Sequence, residues 1–540
     1  MLDQRKKHAL EILTIFIYAS LLAVISYFHE PWFDEAQAWL IARDSSLFEM
    51  IWNVLRYEGH TPLWHLSLFI PAHLGVPFEL GLKSVNFIFA ALAAAVFIKY
   101  SPFPLAFRLF TPFTYFLFYQ YGVIGRCYSL FMLILWLLAA VFPRRNERPY
   151  LFSILLALLG GVTAYGMLIV FGVALAWFIE ITHEYHNNFG FSTRTIALMA
   201  SDNRIHSLIL PGLVHVFYVA ILWPMPDKLT PSLNHYVHSG EEIYRLLIAP
   251  VGAIFMTENP DNLTFQFGSV SSAILSIIGV FLIAALFAYA YKCKIFLYGV
   301  LPYLSVALFM TLMYFTLRQT GIYTLLALFI LWISLAERKK HALLQPGSNN
   351  TVSQRSGISR TLSFKKLLPV GIACVLGIQA YWSYSASLHD IRFAYAPYRE
   401  LSSFIKENGI EGRSIFDYYF ISNGRNTYFA NDVGVLPYFS RNIFFNHNPR
   451  NRKINYAEHR KLNDGALIEN LKASAEPDFV IGHKDSLPFY DDLFSLSDYV
   501  PVKSFIGYYM WKDVFRPGSV LLYIRKDLLS EFPEIGIEAD

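Results

Sequence analysis

Charged residues are scarce in this chain of 540 residues, since Asp, Glu, Lys and Arg together make up only 16% of it. The net charge of +4 is too small to indicate a nucleic-acid partner. The three cysteines, Cys127, Cys293 and Cys374, lie inside apolar runs without the spacing of metal ligands. We therefore expect no disulfide, no cysteine site and no nucleic-acid binding.

Apolar residues, by contrast, are abundant: 55% of the chain is hydrophobic and 17% is aromatic. Long apolar runs indicate a mainly α, polytopic membrane protein with about eleven transmembrane helices. The first run follows Arg5, Lys6 and Lys7, so we expect an uncleaved anchor and a cytoplasmic N-terminus. The predicted spans lie near 9–28, 79–98, 104–122, 126–142, 150–163, 164–182, 207–223, 271–291, 295–315, 319–336 and 367–386.

The segment "PLWHLSLFIPAHLG" (62–75) is apolar but too short to cross a bilayer, and it suits an interfacial or re-entrant helix. If it does not span, most basic residues that flank the spans fall on the cytoplasmic side, as the positive-inside rule favours. Residues 29–78 then form one extracytoplasmic loop. We expect the protein to reside in the cell (inner) membrane.

We expect the chain to divide into a transmembrane region, 1–336, and three later parts. Residues 337–366 are basic and rich in Ser, Asn and Gly, which predicts a cytoplasmic linker before the last span, 367–386. Residues 387–540 predict a small extracytoplasmic α/β domain. Within it "YRELSSFIKENG" predicts a helix that Gly409 ends, and "DFVIG" (478–482) and "SVLLYIRK" (519–526) predict strands.

The stretch "WFDEAQAWLIARD" (32–44) places two carboxylates, Asp34 and Glu35, just after the first span. One interpretation is structural: Asp34 followed by Gln37 resembles a capping box that opens a helix. The other is chemical, since a carboxylate beside the headgroups can act as general base on a hydroxyl or amine. A cap can also hold a carboxylate in place for chemistry, so both interpretations stay open.

A lipid-borne sugar phosphate is an electrophile suited to such a site, and its anionic leaving group needs cationic partners. Lys83, Arg126 and Arg318 each lie at the outer end of a predicted helix. Charges at that depth are often functional. The alternative is that the three side chains only extend to the lipid headgroups.

Several motifs in order resemble the GT-C superfamily of integral-membrane glycosyltransferases, which use polyprenyl-phosphate sugars. The nearest type is that of the bacterial protein-mannosyltransferase-like and lipopolysaccharide sugar transferases. "WFDEAQAW" looks like the acidic motif of the first outer loop. The other similar stretches are "YEGHTPLWHL" (57–66), "LKSVNFIFAAL" (82–92), "GRCYSLFMLIL" (125–135) and "RQTGIYTLLALFILW" (318–332).

The resemblance implies that Asp34 is the catalytic base or positions the acceptor, and that Glu35 supports Asp34 or contacts the acceptor. Lys83, Arg126 and Arg318 would hold the donor phosphate, with Lys83 standing where an Arg is common. His60 would line the site, and Glu58 ranks below Asp34. His60 and Thr61 replace the Lys-Pro of aminoarabinose transferases, so that sugar is not supported. The resemblance does not extend to the tail.

No cofactor is expected, and two adjacent carboxylates are weak support for a metal, so a divalent ion is left open. The expected partners are a polyprenyl-phosphate sugar donor, a lipid, glycan or protein acceptor, and membrane lipids. The loop 224–270, with His235, His238, Glu241 and Glu242, is expected to border the site as solvated polar chain. Two other classes remain: a secondary transporter, or a non-catalytic lipid-binding protein of envelope assembly.

Overall fold

The protein is mainly helical, with a small sheet near its C-terminus. The structure, a computed structural model, describes residues 3–223, 225–227, 251, 270–312, 317–344, 358–417, 421–422, 425–426, 431–445, 453, 455–457, 476–482, 495–512 and 514–535. Its α-helices are α1 Gln4–Phe28, α2 Phe33–Asp44, α3 Leu47–Glu49, α4 Leu55–Glu58, α5 Leu63–His73, α6 Phe78–Tyr100, α7 Leu105–Phe110, α8 Tyr128–Val141, α9 Pro149–Gly160, α10 Ala164–Phe189, α11 Thr193–Ala200, α12 Asn203–Leu222, α13 Val270–Lys292, α14 Phe296–Leu312, α15 Thr320–Leu344, α16 Ile358–Arg392, α17 Tyr398–Glu407 and α18 Asn431–Val435.

Among these residues, five helices are long and apolar enough to cross a membrane: α1, α6, α10, α12 and most of α15. Shorter apolar helices lie at α8, α9, α13 and α14. These helices are consistent with an integral membrane protein, as the composition predicts. The full set of eleven spans stays a prediction.

One predicted span, 104–122, is not a continuous α-helix. It contains α7, a 3₁₀ turn at Thr111–Phe113 and a π-helical segment at Phe116–Val123. Pro112 lies in the 3₁₀ turn, and a proline lacks the amide hydrogen that would continue an α-helix. The break therefore follows from the sequence, although the apolar pattern alone does not reveal it.

Two other boundaries differ from expectation. Helix α15 continues to Leu344 and α16 already begins at Ile358, so helix occupies both ends of the predicted linker 337–366. Residues 345–357 lie outside the described residues.

The segment 62–75 forms α5, a helix of 11 residues. It is joined to the turn after α9, since the amide of Leu63 donates to Gly161 O at 2.8 Å.

The strands of the C-terminal domain are β1 Ile415–Asp417, β2 Ile421–Ser422, β3 Arg425–Asn426, β4 Phe479–Gly482, β5 Tyr499–Trp511 and β6 Val514–Arg525. Four of them form a sheet in the order β1, β4, β6, β5. Strand β1 pairs with β4 in parallel, and the other pairs of this sheet are antiparallel. The predicted strands at 478–482 and 519–526 and the helix that ends before Gly409 are confirmed as β4, β6 and α17.

The tail packs directly on α2, the helix of the acidic motif. Gln37 Nε2 donates to Ala457 O at 2.9 Å, and the amide of Ala457 donates back to Gln37 Oε1 at 2.8 Å. Further along α2, Arg43 Nη1 donates to Phe439 O at 3.0 Å. Helix α2 therefore lies between the apolar helices and the C-terminal domain.

Candidate functional site

The acidic motif opens α2 in a different way from the predicted capping box. The helix begins at Phe33, Trp32 is its N-cap, and Glu35 Oε2 accepts from the amide of Trp32 at 3.1 Å. The interpretation of Asp34 as N-cap is thus wrong: Asp34 lies within the first turn and Glu35 closes it. Gln37, the other half of the predicted box, binds Ala457 instead.

Glu35 is a buried structural carboxylate. Only 1% of the residue is exposed, and besides Trp32 it accepts from the amide of Gly125 and contacts His29 Nε2 at 3.1 Å. A Cβ added at Gly125 would lie 2.8 Å from Glu35 Oε1, so the two groups are in close contact. Of the two roles predicted for Glu35, its surroundings favour support of the motif over contact with an acceptor.

A buried histidine continues this network towards the end of α16. His29 Nδ1 lies 2.8 Å from Asp390 Oδ2, and the hydroxyl of Tyr119 donates to Asp390 Oδ1 at 2.9 Å. Burial lowers the pKa of His29, but the carboxylates of Glu35 and Asp390 outweigh it and raise the pKa to about 9. At neutral pH an imidazolium therefore joins two carboxylates from distant parts of the chain.

Asp34 forms an ion pair with Arg126. The side chain of Asp34 remains 34% exposed, whereas that of Arg126 is 18% exposed. Burial disfavours the charged guanidinium, but Asp34 outweighs this effect and raises the pKa of Arg126. Because Arg126 directly follows Gly125, the bond from Gly125 to Glu35 also fixes the position of this pair. In such a pair the accessible carboxylate can exchange a proton, and the guanidinium can bind an anion.

Arg318 approaches the motif from the start of α15. Its Cζ lies 4.1 Å from the centre of the Trp32 ring, which is a cation–π contact. Its backbone is held because the hydroxyl of Tyr121 donates to Arg318 O at 2.9 Å. No carboxylate in the described part of the chain forms an ion pair with Arg318. Arg126 and Arg318 thus both lie beside residues 32–35, and their role in phosphate binding stays a prediction.

Lys83 lies in a neighbouring network. Its ammonium donates to Glu79 Oε2 at 2.6 Å, and Arg399 of α17 also binds Glu79, with Nε 2.7 Å from Oε1. Arg399 further pairs with Glu30 at 3.1 Å. The structure therefore does not bring Lys83 to Asp34, and its role in phosphate binding stays a prediction.

The lower-ranked candidates are Glu58 and His60. Glu58 accepts from Gln37 Nε2 at 2.8 Å. The His60 ring lies 6.1 Å from that of His65, which is buried. Burial lowers the pKa of His65 well below its ordinary value, and the charges of His60 and Arg126 act in the same direction. His65 is therefore a neutral imidazole close to the ion pair.

Sequence reasoning missed His29, His65 and Asp390. Each left a signal: His29 directly precedes the acidic motif, His65 lies in the quoted stretch 57–66, and Asp390 follows the last predicted span. Ionisable groups at such positions are costly unless they have partners. What the sequence does not supply is the pairing, since His29 and Asp390 are 361 positions apart.

Within the described residues, no group of three or more His, Cys, Asp or Glu side chains is arranged to hold a metal ion. His235, His238, Glu241 and Glu242 of the predicted bordering loop lie outside those residues. A scan against protein-family models and a search of curated proteins find no match for the chain.

Proposed function

We propose that the protein is a membrane glycosyltransferase that moves a sugar from a polyprenyl-phosphate donor to an extracytoplasmic glycolipid, envelope glycan or protein. The ion pair between Asp34 and Arg126 carries the proposal. It combines an accessible base with a cation for a phosphate leaving group. Arg318 adds a second cation beside the same motif. The order of the motifs in the sequence supports the same class.

The chemistry that we propose begins with an exchange of partners. The donor phosphate binds Arg126, because two or three phosphate oxygens compete well with one carboxylate for a guanidinium. Asp34 is then free to accept the proton of the acceptor hydroxyl. The hydroxyl oxygen forms a bond to the anomeric carbon, the bond from that carbon to the phosphate oxygen breaks, and polyprenyl phosphate leaves with the electron pair.

The substitution Asp34→Asn tests this assignment without disturbing the helix cap, which Glu35 supplies. Asn keeps the size of the side chain and a carbonyl acceptor for Arg126, but it removes the basicity. We expect a correctly inserted protein whose turnover falls by about 10²–10⁴-fold. The assay follows sugar transfer from a labelled polyprenyl-phosphate sugar to membrane acceptors.

Asp44→Asn is the matched control, because Asp44 is a carboxylate at the other end of α2 that pairs with Arg43. It should keep near-normal turnover. If Asp34→Asn also keeps near-normal turnover, Asp34 is not the base. Uptake of substrate into vesicles without sugar transfer would instead indicate the transporter class.

A further inference from the structure

Two buried donor groups near Arg318 have no hydrogen-bond partner within the part of the chain that the structure describes. Trp32 Nε1 and Tyr395 Oη are both buried, and neither forms a hydrogen bond with another described residue. Buried polar groups are almost always hydrogen-bonded, and leaving one unsatisfied is costly. An unpaired group beside a candidate site therefore points to a ligand or a bound water that completes it.

These atoms belong to one cluster around the Trp32 ring. Arg318 Cζ lies 4.1 Å from that ring. Tyr509 of β5 packs edge-on against both aromatic groups, with ring centres 6.3 Å from Trp32 and 5.6 Å from Tyr395. Burial raises the pKa of Tyr395, and the positive charge of Arg318 opposes that rise, so the phenol lies within the field of the guanidinium.

The chemistry of the cluster selects an anion. A guanidinium and an indole N–H can only donate hydrogen bonds, and a phenol hydroxyl can donate one. A phosphate group accepts several hydrogen bonds at once and matches the charge of an arginine. The cluster adjoins the first turn of α2, where Asp34 and Arg126 form their ion pair.

We propose that Arg318, Trp32 and Tyr395 form a subsite for the phosphate of a polyprenyl phosphate. This inference rests on the proposed function and deepens it, because it places part of the donor site outside the region 1–336. Tyr395 follows α16, and Tyr509 of the C-terminal sheet holds it against Trp32. The C-terminal domain is thus a wall of the donor site.

Binding of farnesyl phosphate to the purified full-length protein tests the subsite, with farnesol and inorganic phosphate measured alongside. Tyr395→Phe removes only the hydroxyl. Since a hydrogen bond to a charged group is typically worth a factor of ten or more, we expect the affinity for farnesyl phosphate to fall by about 10-fold. The control is Tyr323→Phe, which also removes a buried hydroxyl without a described partner but packs on Tyr303, 5.3 Å away.

The expected pattern is tight binding of farnesyl phosphate, weak binding of farnesol and inorganic phosphate, and loss of affinity in Tyr395→Phe alone. Equal affinity for inorganic phosphate would assign the cluster to free phosphate and overturn the lipid source. Wild-type affinity in Tyr395→Phe, with sugar transfer intact, would refute the subsite and leave the proposed function standing. If the wild type binds no farnesyl phosphate, both proposals fail.

Discussion

At the scale of single residues, Glu35 and Asp34 are adjacent in the sequence but differ in burial and in their partners. Glu35 is buried and engaged by Trp32, Gly125 and His29. Asp34 has Arg126 as its ion-pair partner and a third of its surface accessible. A buried support beside an accessible side chain is an arrangement by which proteins hold catalytic side chains in position, and it agrees with the role that we propose for Asp34.

His29 makes stability depend on pH. Its pKa is about 9 in the folded protein and about 6.5 when exposed. The stabilisation, on the order of 3 kcal/mol, is therefore complete below pH 6.5 and is lost as the pH rises through 9. We expect the melting temperature of the wild type to fall between pH 7 and pH 10 more steeply than that of His29→Gln.

His8→Gln provides the control for this measurement, because the side chain of His8 is 61% exposed. It should retain the pH dependence of the wild type, since other groups that titrate above pH 8 are common to all three proteins. Parallel melting curves for the wild type and His29→Gln across this range would contradict the buried imidazolium.

At the scale of elements, the contact between α2 and α6 depends on a glycine. A Cβ at Gly81 would lie 2.3 Å from Cη2 of Trp39, and Trp39 is fully buried. Gly81→Ala must therefore push α2 away from α6. We expect a loss of about 1–3 kcal/mol in stability, seen as a lower melting temperature, together with reduced turnover because Asp34 moves with α2.

Gly377→Ala in α16 is the matched control, since nothing lies within 4 Å of a Cβ built there. Alanine favours helix over glycine by up to about 1 kcal/mol, so this variant should be unchanged or slightly more stable. A Gly81→Ala protein as stable and active as the wild type would show that α2 does not depend on this close approach.

The elements also show which features the sequence can predict. Apolar period and length identify the long helices, and the short apolar runs in 478–482 and 519–526 identify β4 and β6, because these signals are local. The prediction of the α2 cap is wrong because Asp34 and Glu35 both suit a first turn. The contacts of Glu35 decide between them, and one of these, with the amide of Gly125, joins residues 90 positions apart.

Charge selected Arg126 and Arg318 as candidate site residues, because a cation near a predicted span end is already unusual, and both contact the acidic motif. It also selected Lys83, which lies apart with Glu79 and Arg399. Lys83 pairs with Glu79 four residues earlier, and Arg399, 320 positions from Glu79, binds the same carboxylate. No local pattern in the sequence encodes the contact with Arg399. The fold class is therefore readable from the sequence, whereas the composition of the site is not.

At the scale of the whole molecule, the contacts between the C-terminal domain and the acidic motif predict that both lie on the same side of the membrane. Gln37 is hydrogen-bonded to Ala457, Arg43 donates to Phe439, and Arg399 binds Glu79. These contacts join the tail to the segment that follows α1 and to the start of α6. Any topology that separates residues 29–78 from the tail would break all of them.

The predicted topology can be tested at three positions. We expect residue 540 and the loop position Asn53 to be extracytoplasmic and residue 350 to be cytoplasmic. The reasons are the bias of basic residues towards the predicted inner side and the contacts between tail and motif. A reporter active only in the cytoplasm should be silent after residue 540 and active at residue 350.

Asn53→Cys, in a background without Cys127, Cys293 and Cys374, should react with a membrane-impermeant maleimide in intact cells. An active reporter after residue 540 would overturn the placement of Asp34 outside, and opposite results at 540 and 53 would refute the packing of the tail on α2.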